Sequence, residues 1–114
     1  MIRILCFGDS NTFGRKSVSF NPEETPIVFS QDRFQQNERW TGVMANKLGK
    51  DYYVIEEGLC GRTTVLDDPV GGEHRNGKKY LLPCLESHAP LDLVILMLGT
   101  NDLKVKFSMS AYDI

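Results

Sequence analysis

The stretch that decides the fold is Ile2-Arg3-Ile4-Leu5-Cys6-Phe7-Gly8-Asp9-Ser10-Asn11. Residues 2–7 are apolar apart from Arg3, and a glycine and three polar residues follow at once. A run this short, closed by glycine, predicts a buried strand rather than a helix. Gly8 is expected to let the backbone turn sharply and to leave Ser10 at the mouth of a sheet.

The same phrase recurs twice. Residues 52–55 predict a second strand, followed by a polar turn over 56–64 that holds Gly58 and Gly61. Residues 93–98 predict a third, fully apolar strand, and Gly99-Thr100-Asn101-Asp102 turns off its end. Helical segments separate them. Over 39–48, Trp40, Val43, Met44 and Leu48 recur at helical spacing, and Gly49 supplies a stop. Over 79–87, Tyr80, Leu81, Cys84 and Leu85 share a face, with Pro83 implying a kink or a start at that point. Residues 15–36 and 67–77 read as loops, and Ser110 predicts the cap of a helix beginning at Ala111. Strands alternating with helices argue for a parallel α/β architecture. In such sheets ligands bind beyond the carboxyl ends of the strands, so the three turns are expected to face one site.

The 114 residues make one domain at most. A formal net charge of -2 gives no electrostatic reason for nucleic acid or an anionic membrane as partner. The longest apolar run, residues 91–98, is interrupted by Asp92 and is too short to span a bilayer. The first residues enter a strand with no cleavable signal pattern. Cys6, Cys60 and Cys84 show no metal-ligand spacing, and three unpaired thiols suit a reducing cytoplasm. They read as small buried apolar residues; a cysteine nucleophile has no histidine in a recognisable partner context.

A serine hydroxyl at a strand-to-helix turn can attack an acyl carbon, and the backbone N–H groups there favour the negative charge that develops. Gly61 offers an unhindered N–H, and Asn101 an amide donor whose strength does not vary with pH. Each such donor is typically worth ~3 kcal/mol of barrier. Taken singly, Gly-Asp-Ser and Gly-Thr-Asn-Asp are ordinary turn chemistry; their position after successive predicted strands is what raises them. Asp9 and Asp102 are expected to hold their own turns by accepting backbone N–H groups. Arg62 either steers an anionic or polar substrate or pairs with Asp67 or Asp68. Trp40 either lines an acyl pocket or packs in the core.

These residues resemble a known family. Ile4-Leu5-Cys6-Phe7-Gly8-Asp9-Ser10-Asn11-Thr12 is similar to block I of the SGNH (GDSL-like) hydrolases, Gly58-Leu59-Cys60-Gly61-Arg62-Thr63-Thr64 to block II, and Leu98-Gly99-Thr100-Asn101-Asp102 to block III. Arg39-Trp40-Thr41-Gly42-Val43, Val54-Ile55-Glu56-Glu57-Gly58 and Pro90-Leu91-Asp92-Leu93-Val94-Ile95 resemble the bacterial arylesterase/acyltransferase branch. Asn11 stands where the broad motif often has Leu. The resemblance implies a flavodoxin-like three-layer α/β/α fold with a parallel sheet. It implies Ser10 as nucleophile, with the N–H groups of Ser10 and Gly61 and the Asn101 side chain as oxyanion hole. Asp9, Asn11, Arg62 and Trp40 are the candidate substrate-side residues. No metal or organic cofactor is expected.

The family's general base is a histidine in a late Asp-x-x-His motif. Gly71 lies three residues before His74, and Leu85 three before His88, so neither fits. His74 reads as a solvated loop residue and His88 as a cation suited to a helix C-terminus. Residues 1–114 are therefore expected to be the N-terminal portion of a single SGNH hydrolase domain, truncated after the third strand. The expected function is a serine esterase, or an acyltransferase, acting on small acyl or aryl esters. The alternatives are a carbohydrate O-deacetylase and an inactive remnant that binds or assembles without turnover. An open apolar edge on the third strand predicts a homo-oligomer or association with a C-terminal portion.

Overall fold

The computed structural model describes residues 1–16 and 32–114. Most of the loop expected over 15–36 lies outside the described residues. At its base, Arg15 and Arg33 form an isolated antiparallel bridge, and Lys16 N–H donates to Asp32 O at 3.3 Å.

Strand β1 (Ile2–Gly8) is followed by one turn of helix, α1 (Ser10–Phe13). Then come α2 (Trp40–Leu48), β2 (Tyr52–Gly58), α3 (Gly77–His88) and β3 (Leu93–Met97). The sheet has three strands, all parallel, in the order β2-β1-β3. The chain moves one way from β1 to β2 and the other way from β2 across to β3. Right-handed crossovers in opposite directions put α2 and α3 on opposite faces, which makes the three-layer α/β/α sandwich.

β1 alternates between those layers. Leu5 and Phe7 join Ile55 and Cys84 in the core, with Leu81, Leu85 and Val94 packed around them. Ile4 and Cys6 are equally buried on the other face. Burial pushes the Cys6 thiol up to about 11, helped by the nearby Glu56 carboxylate. All three cysteines are buried and free, as small apolar residues would be.

Several elements differ from the sequence reading. β2 runs on to Gly58, because Glu56 and Glu57 keep pairing with Cys6 and Phe7. α3 begins at Gly77, where the Asn76 side chain accepts from Lys78 N–H at 3.0 Å, and the helix is unbroken through Pro83. Pro83 and Lys79 are both exposed, so the carbonyl that loses its helical bond is left to water. On α2 the residues buried are Thr41 and Gly42, while Val43 and Leu48 lie at the surface. Ser110 does cap the last element with a capping box, but that element, Ala111–Asp113, is a 3-10 turn. Among the described residues no helix is long and apolar enough to cross a membrane.

Candidate active site

The register sets the geometry. Gly8 of β1 pairs with Gly58 of β2 and with Met97 of β3, so the three strands end level. Neighbouring strands stand ~4.8 Å apart, which brings the three following turns out of the sheet side by side.

Asp9, fully buried, caps α1 by accepting from Asn11 N–H at 3.0 Å. Its carbonyl takes the Phe13 N–H at 2.9 Å. Asp9 therefore holds the turn, as the sequence suggested. Ser10 follows as the first helical residue and is half-buried; Asn11 is exposed. Gly8 does not make a sharp turn through a positive φ. It ends the strand in extended pairing, and what it supplies is space: a Cβ there would collide with Thr12 Oγ1. Thr12, which the sequence reading passed over, is fully buried under the turn and accepts from the Trp40 indole N–H at 3.2 Å. Trp40 is thus half-buried against α1.

The second turn is tied beneath the first. Leu59 N–H donates to Gly8 O at 3.1 Å. Arg62 Nη1 donates to the same carbonyl at 3.2 Å and to Glu57 O at 2.7 Å. The guanidinium is buried, 4.0 Å above the Phe7 ring and 5.4 Å from that of Tyr80. Burial lowers its pKa below the ordinary arginine value, with Glu57 acting in the opposite direction. The expected pairing of Arg62 with Asp67 or Asp68 does not form. Asp67 accepts from Asn76 Nδ2 at 3.0 Å and pairs with Lys79 at 2.9 Å, while Asp68 pairs with Lys106 at 2.6 Å. Two backbone carbonyls and an aromatic face already surround the guanidinium, so those carboxylates are left to other cations.

Gly61 sits at φ +78°, a left-handed conformation that side chains disfavour. The carbonyl just before it, that of Cys60, accepts from Arg75 Nη1. A groove of about 220 Å³ passes beside Gly61, lined by Arg15, Arg75, Lys104 and Lys106 among others. Burial pushes the Cys60 thiol up, which disfavours the thiolate a cysteine nucleophile requires.

The third turn closes over the second. Asn101 is buried, and its Nδ2 donates to Arg62 O at 3.0 Å. A primary amide carries two hydrogens, so this bond orients the group while leaving a second donor. Asp102 is buried and accepts from Thr64 N–H at 3.1 Å and Thr64 Oγ1 at 2.6 Å. The carboxylate was expected to hold its own turn and instead bolts it to the neighbouring one. A crossing bond of this kind leaves no local signature, whereas Asp9 could be read because its partner lies two residues away.

The two histidines stand elsewhere. His74 is exposed on the 3-10 turn Glu73–Arg75, as expected of a solvated residue. His88 closes α3, with Nε2 at 3.2 Å from Glu57 Oε1.

Residues 6–113 match the GDSL-like Lipase/Acylhydrolase family. The chain belongs to that family. Among solved structures it is similar to the native aryl esterase of M. smegmatis, with 50% identity and a TM-score of 0.88, covering 100% of this chain and 49% of that one. It is similar to Est24, a carbohydrate acetylesterase from Sinorhizobium meliloti, with 49% identity and a TM-score of 0.86 over 100% of this chain and 49% of that one. A further carbohydrate acetylesterase family member from Sinorhizobium meliloti gives 39% identity and a TM-score of 0.82 over 98% of this chain and 47% of that one. No curated protein matches. The chain spans about half the length of these solved relatives. This GDSL-like chain thus shares its fold with solved structures of the arylesterase and acetylesterase branch.

Proposed function

We propose that this chain carries the nucleophile and oxyanion hole of a serine esterase acting on small acyl or aryl esters. Ser10 Oγ attacks the acyl carbon, and its proton passes to a general base. The carbonyl oxygen becomes an oxyanion held by the N–H groups of Ser10 and Gly61 and by Asn101 Nδ2. Collapse expels the alcohol, which takes the proton from the base, and water or a second alcohol then releases the acyl group by the same steps in reverse order. We assign the base to the half of the fold that the solved relatives have and this stretch does not span. His88 lies against Glu57 and His74 on an exposed turn.

The observation that carries this reading is the bond from Asn101 Nδ2 to Arg62 O, which fixes an amide donor one residue from the Gly61 N–H. The same pattern gives Arg62 a strut's role in place of substrate contact. Asn11, exposed beside Ser10, remains a candidate to meet the substrate, and Trp40 supports α1 from behind. The exposed edge of β3 is taken as the seat of the rest of the fold.

The test is p-nitrophenyl acetate turnover by the complete polypeptide. Ser10→Ala is expected to lower it by at least about 10⁴-fold. Undiminished turnover in that variant refutes the assignment. A second reading, carbohydrate O-deacetylation, is favoured by the 49% identity to Est24, a carbohydrate acetylesterase. Acetate release from acetylated sugars, compared with aryl acetates on the same preparation, separates the two.

A further inference from the structure

Next to the second turn, the far end of α3 meets the end of β2 in a cluster that the proposed ester chemistry does not use. Glu57 comes from β2, and Cys84 and His88 come from α3. The two helical residues are four apart, so they project from the same face one above the other. One carboxylate oxygen, the thiol sulfur and a ring nitrogen all lie within 4.8 Å of one another.

We propose that Glu57, Cys84 and His88 form a binding site for Zn²⁺, pinning the last turn of α3 to the end of β2.

The donor set fits. Oxygen, nitrogen and sulfur ligands bind zinc at about 2.0–2.3 Å, which in a tetrahedral array puts ligand atoms about 3.5 Å apart. A triangle no wider than 4.8 Å reaches that spacing by side-chain rotation. The charges fit too. One carboxylate and one thiolate neutralise a divalent ion, and histidine ligates through its neutral ring. Binding therefore expels the thiol proton to solvent, and a Sγ–Zn bond takes its place.

Burial is graded across the cluster. Cys84 is fully buried, whereas the His88 and Glu57 side chains are 32% and 20% exposed. The ion can enter from that side, where water completes the fourth position. The surroundings already steer the carboxylate. Tyr80 OH reaches both Glu57 oxygens, Oε1 at 3.1 Å and Oε2 at 3.4 Å, so it can hold either one while the other ligates. Two guanidiniums bond the backbone of the cluster, Arg62 Nη1 to Glu57 O at 2.7 Å and Arg3 Nη2 to His88 O at 3.0 Å, and among the described residues neither is bonded to the Glu57 carboxylate.

The experiment is a Co²⁺ titration of the complete, chelator-stripped polypeptide, followed by Zn²⁺ competition. The expected result is one equivalent bound, with a near-ultraviolet thiolate-to-cobalt charge-transfer band that Zn²⁺ abolishes. Cys84→Ser should remove the band, and Cys6→Ser should leave it. Since Cys84 is buried, His88→Gln at the half-exposed helix end supplies a variant that spares the core. It should weaken binding by more than about 100-fold, because losing a ligand costs more than losing a ligand's hydrogen-bond partner. Absence of the band in wild type, its survival in Cys84→Ser, or unchanged affinity in His88→Gln overturns the site. None of these readouts depends on ester turnover.

Discussion

β1 and β3 are both runs of large apolar residues in one sheet, yet they live in different surroundings. In β1, Ile4, Leu5, Cys6 and Phe7 are between 0% and 4% exposed. In β3, Leu93, Leu96 and Met97 are 50%, 57% and 39% exposed. The difference lies in sheet order. β1 is the middle strand, paired on both sides and covered on both faces, while β3 has a single neighbour. Beside it an apolar groove of about 310 Å³ opens, lined by Phe7, Leu81, Leu96 and Leu98 among others. Composition marks both segments as strands built for burial; topology decides which of them is buried in this stretch.

The comparison breaks most sharply under truncation. Phe7→Ala should cost about 3–5 kcal/mol in chemical denaturation, because it opens a cavity in close-packed surroundings. Leu96→Ala should cost no more than about 0.5 kcal/mol in residues 1–114 alone, as a surface change does. If the rest of the fold seats on β3, the same Leu96→Ala should cost about 2–5 kcal/mol in the complete polypeptide. Equal small costs in both contexts would show that the edge stays open.

The turns at the strand ends carry the proposed chemistry, and Asn101, off the end of β3, tests that link. Asn101→Ala removes the proposed oxyanion donor together with its bond to Arg62 O. We expect kcat to fall by about 10²–10³-fold with KM little changed. A change confined to KM would move Asn101 from the transition state to ground-state binding.

Much of this was legible in the sequence, for a physical reason. Three strands ending in Gly-containing polar turns form a periodic, local signal, and parallel topology then forces the turns together. Asp9 could be read because an N-cap acts over two residues. What crosses from turn to turn could not be read. Arg62 reaches back under β1 and Asp102 grips Thr64, bonds spanning 54 and 38 positions that no spacing encodes. Gly8 was assigned the wrong virtue, conformational freedom, because the need for space came from Thr12 folding back over it. The apolar face expected on α2 is covered only in part, Trp40 and Met44 half-buried and Val43 and Leu48 at the surface, since helical spacing shows which residues align and the packing partner decides which of them are covered.

The smallest expected effect concerns pH. Asp68 accepts from Gly71 N–H at 2.8 Å and pairs with Lys106, and these partners, the backbone N–H first, hold its carboxyl well below the usual carboxylate range. A folded pKa below the unfolded value of about 3.9 contributes stability that is present above that value and is lost as pH falls through the folded one. Stability should therefore decline as pH drops below about 4, and Asp68→Asn should flatten that slope. An unchanged slope in the variant would place the acid sensitivity in other carboxylates.

The central claim is that Ser10 Oγ is the acylated atom. Its most direct measurement is trapping the complete polypeptide with a fluorophosphonate ester and locating the adduct by peptide mass mapping. The account predicts one adduct per chain, on the peptide containing Ser10, with loss of turnover in proportion to labelling. An adduct on another residue, or full turnover in fully labelled protein, would contradict it.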